Sequence, residues 1–91
     1  MAVTSLVLHR VADYDAWRQI YDSVEEQRRQ GGVTAAEVLR PTNGDNLVAV
    51  THDFATVEAA RAFFASEELK SAMGQAGVDL SSFELHLLER D

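Results

Sequence analysis

The sequence has 91 residues, 46% hydrophobic and 25% charged, the balance of one globular domain near the lower limit for an independent core. Fifteen acidic side chains against eight basic ones give a net charge of −7. Phosphate backbones are held by clustered Lys and Arg, so no nucleic acid and no anionic membrane is expected as a partner. The absence of cysteine removes disulfides, thiolate metal sites and iron–sulfur clusters. No apolar run approaches the ~18 residues of a membrane span, and the first residues lack a signal-peptide pattern. A cytoplasmic protein is expected.

In chain order, Val3 to Val11 is rich in β-branched and aliphatic residues and reads as a first strand, β1. Asp13 is placed to cap a helix, and Asp15 suits the positive end of its dipole. Tyr14, Trp17, Tyr21 and Val24, with Ile20 alongside, recur at three- and four-residue spacing, the apolar stripe of a helix. Gly31-Gly32 ends it. Thr34 to Arg40 reads as β2, stopped by Pro41, and the turn Pro41-Thr42-Asn43-Gly44-Asp45 leads into β3, Leu47 to Phe54. Thr56 repeats the cap, and Val57, Ala60, Phe63 and Phe64 repeat the stripe. Ser66 is a fresh cap before Glu67-Glu68, so the second helix is expected to break there and to end at Gly77. Phe83 to Glu89 reads as β4.

His9–Ser23 and His52–Ser66 align as two copies of one unit, with His, Ala12/Ala55, Ala16/Ala59, Arg18/Arg61 and Ser23/Ser66 coinciding. Two β-α-β units interleave into an α+β ferredoxin-like fold, β-α-β-β-α-β, with an antiparallel sheet ordered β4-β1-β3-β2 and both helices on one face. The whole chain, 1–91, is expected to form this single domain. Strand parity makes both sheet faces apolar: Leu6 and Leu8 oppose Val7, His9 and Val11, and Leu47 and Ala49 oppose Val48, Val50 and Phe54. Two helices cover one face only. The expected cover for the other is a second copy of the chain in an isologous homodimer.

The segments His9-x-Val11-x-Asp13-Tyr14-x-x-Trp17, Gly32-Val33, Val38-Leu39-Arg40, Ala59-Ala60-Arg61-x-Phe63, Ser66-x-Glu68-Leu69-Lys70-x-Ala72-Met73 and Gly77-Val78 resemble the dimeric α/β barrel superfamily. That superfamily includes antibiotic-biosynthesis-monooxygenase-like proteins and small "cyclase" proteins. The resemblance implies sheet-to-sheet dimers and activities that range from cofactor-free oxygenation and isomerisation to haem degradation, or none known. The haem-degrading branch uses an Asn on the first strand and a His on the second-half helix. Here one face of β1 carries Ser5, Val7 and His9, and no His lies between Thr56 and Gly77. The Trp, Tyr, Asn and Arg set of the quinone-forming oxygenases has no counterpart either, so catalytic residues do not transfer. RNA-recognition motifs, of the same element order, need exposed aromatics on β1 and β3 that this chain lacks. Amino-acid-sensing domains of that order usually carry a Gly in the turn before the first helix, which is also missing.

Three candidate catalytic residues remain, His9, His52 and His86. A shared metal is excluded: β1 and β3 run oppositely, so His9 and His52 sit at opposite ends of the sheet, and His86 lies two strand spacings from His52. His9 and His52 either bond backbone or cap groups at the strand ends or face a pocket as neutral imidazoles. Tyr14, Trp17 and Tyr21 have only Val57, Ala60 and Phe64 opposite them in the second copy. With Arg40 at their rim they are the candidate ligand-binding residues, in a pocket between the first helix and the sheet. There is no phosphate loop, nucleophile elbow or dinucleotide fingerprint, and no cofactor is expected. The function expected is binding or transformation of a hydrophobic, aromatic or polyketide-like molecule, as a cofactor-independent monooxygenase or cyclase. The alternative is a non-catalytic dimeric structural or ligand-sensing module. A cavity beside the aromatic residues discriminates between them.

Overall fold

The computed structural model describes residues 2–89. β1 (Val3–Val11) is buried at every second residue, with Val3, Ser5, Val7, His9 and Val11 on the covered face. β3 (Leu47–Phe54) repeats this with Val48, Val50, His52 and Phe54. The two are antiparallel neighbours, with Val7 opposite Val50 and Ser5 opposite His52. β2 (Ala35–Leu39) pairs with the other edge of β3, and β4 (Val78–Glu89) with the other edge of β1, both antiparallel. The order is β2-β3-β1-β4, which read from the opposite edge is β4-β1-β3-β2, since a sheet has no preferred end.

The first helical region is α1 (Tyr14–Ser23) followed by α2 (Glu25–Gln30). The Asp13 carboxylate caps α1 by accepting from the amides of Asp15 and Ala16. A single helix to Gly31 was the expectation, and the chain instead breaks at Val24, where α2 starts without a side-chain cap. In the second half α3 (Val57–Phe64) is capped by Thr56 and α4 (Glu67–Gln75) by Ser66, as the sequence predicts.

β4 begins five residues earlier than the predicted Phe83, at Val78. Its pairing with β1 shifts register between Leu8 and Arg10, where Glu84 and then Asp79 are the partners. The looped-out residues are pinned by Ser82 Oγ, which accepts from the Arg10 amide at 2.8 Å and donates to the Asp79 carbonyl at 2.6 Å. A bulge of this kind redirects side chains, and it brings the Phe83 ring to 6.3 Å from that of His9.

Buried side chains form two clusters on the helix-facing side. Val11, Trp17, Val48, Val50 and Ala76 make one, and Val3, Phe54, Ala60 and Phe63 the other. The opposite face presents Leu6, Leu8, Leu47, Ala49, Leu39 and Leu88, with Leu39 and Leu88 about half exposed (50% and 47%). Polar residues interrupt it on central and edge strands alike, including Thr4, Thr51, Glu37 and Glu84, so the expectation of two apolar faces is met on the helix-facing side and only in part on this one.

Candidate functional site

Between the sheet and the helices lies a cavity of about 540 Å³. Its floor includes Val7 and Val50, direct partners on adjacent strands. Trp17, Ile20 and Tyr21 of α1 wall one side, and Phe63 and Phe64 of α3 with Ala72 and Met73 of α4 wall the other. It therefore extends under both halves of the repeat rather than under the first helix alone. His9 and His52 stand on the same face, four residues apart along the paired strands, roughly 13 Å at the usual rise.

His52 is buried, and its Nε2 is 3.1 Å from the Tyr21 hydroxyl. The ring meets Phe63 edge-on at 5.6 Å and stacks with Tyr21 at 6.2 Å. Burial, helped by the Arg28 cation and opposed by Asp53, lowers its pKa to about 4. It is neutral at pH 7. Burial also lowers the pKa of His9, whose ring lies 5.7 Å from Trp17. Among the described residues neither ring nitrogen of His9 has a hydrogen-bond partner, nor has Nδ1 of His52. The expectation that these histidines bond backbone or cap groups at the strand ends is not met: His52 bonds a side chain and His9 bonds nothing described. The His9 nitrogens are covered by neighbouring atoms, so presenting one to the cavity takes a turn about χ2, a broad torsion for an aromatic ring.

Tyr21 is sandwiched. Trp17 stacks on it at 4.9 Å with 16° between planes, and the Arg28 guanidinium lies 3.7 Å over its centroid. Burial raises the Tyr21 pKa, against the pull of Arg28 and Arg18, so the phenol stays protonated. Arg28 is itself buried, 8% exposed, and donates from Nη1 to the Tyr21 carbonyl.

Of the sequence candidates, the cavity brings together His9, His52, Trp17 and Tyr21. Three lie outside it. Tyr14 stacks on Trp17 at 5.8 Å and carries the exposed Arg40 at 3.7 Å over its ring, away from the lining. His86 pairs with Leu6 and so shares the opposite face of the sheet, exposed. Sequence reading passed over Arg28, although it follows Val24 by four residues and Tyr21 by seven, continuing the apolar stripe. A charged residue on such a stripe was the available signal. Phe83 had no comparable signal, because the bulge that turns it inward has no marked alternation.

No family model matches the sequence, and no curated protein does. Solved structures do match in fold. The cofactor-independent oxygenase SnoaB from Streptomyces nogalater has a TM-score of 0.82 at 14% identity, covering 99% of this chain and 93% of that one. A candidate antibiotic biosynthesis monooxygenase from Caulobacter crescentus CB15 gives 0.80 at 10% identity, covering 99% and 90%. A conserved protein from Methanosarcina mazei Go1 gives 0.80 at 10%, covering 100% and 94%. At these identities the likeness is one of fold alone.

Proposed function

We propose that this protein binds a flat, hydrophobic aromatic molecule of polyketide type in its cavity and oxidises it with dioxygen without a cofactor. The carrying observation is the cavity of about 540 Å³, within the range of small-molecule sites. It is walled by aromatic rings and bordered by two neutral imidazoles with unmet hydrogen bonds. A purely structural module would fill this space with its own side chains. The fold shared with SnoaB, a cofactor-independent oxygenase, supports the same reading.

The chemistry needs a base more than it needs a metal. A neutral imidazole has one donor and one acceptor nitrogen. His9, free of any described hydrogen bond, is the group to take a proton from an activated CH₂ between aromatic rings, once its ring turns toward the ligand. The resulting carbanion is electron-rich enough to reduce dioxygen directly. One oxygen atom is kept as a new carbonyl and the other leaves, with the two hydrogens of the CH₂, as water. The Tyr21–His52 pair holds the ligand's polar edge, and the apolar walls exclude bulk water from the anion.

The cavity-bearing protein acts as a homodimer in this proposal, two copies closing sheet against sheet. Support lies in the leucines of the open face, Leu6, Leu8 and Leu47 on the central strands and the half-exposed Leu39 and Leu88 on the edge strands, since soluble monomers rarely leave large apolar patches uncovered.

The test is dioxygen uptake by purified protein mixed with anthrone, with no cofactor added and a protein-free control. Uptake above the control, lost in His9→Ala, is the expected result. Binding without uptake would assign the cavity to ligand sensing, and neither binding nor uptake would overturn the proposal.

A further inference from the structure

Among the basic side chains of the described residues, Arg28 is in the least ordinary position. Arg18 pairs with Asp22 at 3.1 Å, Arg29 with Glu26 at 3.3 Å and Lys70 with Glu67 at 3.7 Å, all on the surface. Arg28 is 8% exposed, and among the described residues no carboxylate lies within ion-pair distance of it. Its one described hydrogen-bond acceptor is the Tyr21 carbonyl. A buried cation without a counter-ion is costly, and an anion brought beside it recovers that cost.

Its placement is specific. The guanidinium carbon sits 3.7 Å from the Tyr21 ring centroid, which positions its fork before any ligand arrives. Five N–H donors leave several unspent after the bond to Tyr21; a second, smaller recess that Arg28 also lines holds Arg18, Asp22 and Glu25 beside Ala36 and Val38 of β2, with neither carboxylate within ion-pair distance of Arg28. Among the described residues, Arg28 and Glu68 are the only charged ones of the cavity lining, and Glu68 is exposed in the first turn of α4. The cavity thus has a cationic end, at Arg28, Tyr21 and His52, and an apolar body over Val7 and Val50 that runs toward His9.

We propose that Arg28 determines ligand specificity: the cavity takes an aromatic acid, its carboxylate held by the Arg28 fork and its ring system lying over Val7 and Val50 toward His9. This rests on the cavity's being a ligand site, as argued above, and adds the charge of the ligand and its direction. The orientation puts the end of the molecule remote from the carboxylate beside His9, and so fixes which carbon the imidazole can reach.

The experiment compares 2-naphthoate with its neutral isostere 2-naphthamide by isothermal titration calorimetry at neutral pH. The wild-type protein is expected to bind the acid at least about tenfold more tightly, the equivalent of one charge-assisted hydrogen-bond pair. Arg28→Gln should erase that preference, and Arg28→Lys should keep part of it. Should Arg28→Gln fail to fold, the wild-type comparison still decides. Equal affinity, or tighter binding of the amide, overturns the role of Arg28 and leaves the cavity as a site for neutral aromatics. If neither compound binds, the ligand site itself is overturned and Arg28 falls with it.

Discussion

His52 couples the chemistry of the cavity to the stability of the fold. Its folded pKa of about 4 lies below the 6.5 of an unperturbed imidazole, so the unfolded chain takes up this proton first as the solution is acidified. The stability from keeping His52 neutral is complete above pH 6.5, declines between pH 6.5 and 4, and is gone below that. Its size is about 3 kcal/mol. His9 acts in the same direction. Asp79, held low by the hydrogen bonds it accepts from Ser81, contributes stability that is present above the ordinary carboxylate range and is lost only as the pH falls below it. Urea denaturation of wild type and His52→Gln across this range should show a shallower acid loss in the variant. An unchanged slope would show that His52 does not titrate on unfolding. The same residue illustrates what a single sequence reveals: the repeat marked His52 as a candidate, but its bond to Tyr21 joins positions 31 apart in the chain. Arg28 was hidden for a related reason. A cation on an apolar stripe has meaning only once the ring beneath it and the absence of a counter-ion are known.

Caps and glycines set where the helices begin and end, and these were legible. Asp13, Thr56 and Ser66 each accept from first-turn amides where the sequence placed them. Asp13→Ala should cost about 1 kcal/mol, measured as a lower thermal midpoint with an unchanged circular-dichroism spectrum at low temperature. The two glycines after α2 do different work. Gly32 takes the left-handed conformation, φ +97, while Gly31 is needed for space: a Cβ there would lie 2.6 Å from Phe63 Cδ1. Gly31→Ala should therefore push Phe63, a wall of the cavity, and cost about 1–3 kcal/mol. A variant as stable as wild type would mean that Phe63 moves aside freely. The break at Val24 and the bulge in β4 were not legible. Ser23 aligns with the capping Ser66, yet its hydroxyl donates to the Ile20 carbonyl and caps nothing. The bulge depends on Ser82 meeting the Arg10 amide 72 positions away, which no local pattern encodes.

The sheet divides the described residues into a face that borders the cavity and a face on which Leu39 and Leu88 are about half exposed. Native mass spectrometry should find a dimer at micromolar concentration, and Leu6→Lys, at the middle of the open face, should give monomers that still show the cavity-side stacking of Trp17 in fluorescence. A monomeric wild type would leave those leucines without the partner proposed for them. The sequence by itself determined the element order, three helix caps and which strand residues share a face, though it read both faces as apolar where the open one is mixed. It did so because strand and helix periods and capping chemistry are local and repeat within a few residues. Tertiary structure alone decided that His9 and His52 share a cavity while His86 lies across the sheet, and that Tyr14 and Arg40 pair outside it. It also brought Arg28 over Tyr21. Those outcomes depend on register and on a bulge, contacts between distant residues whose energies no local pattern contains.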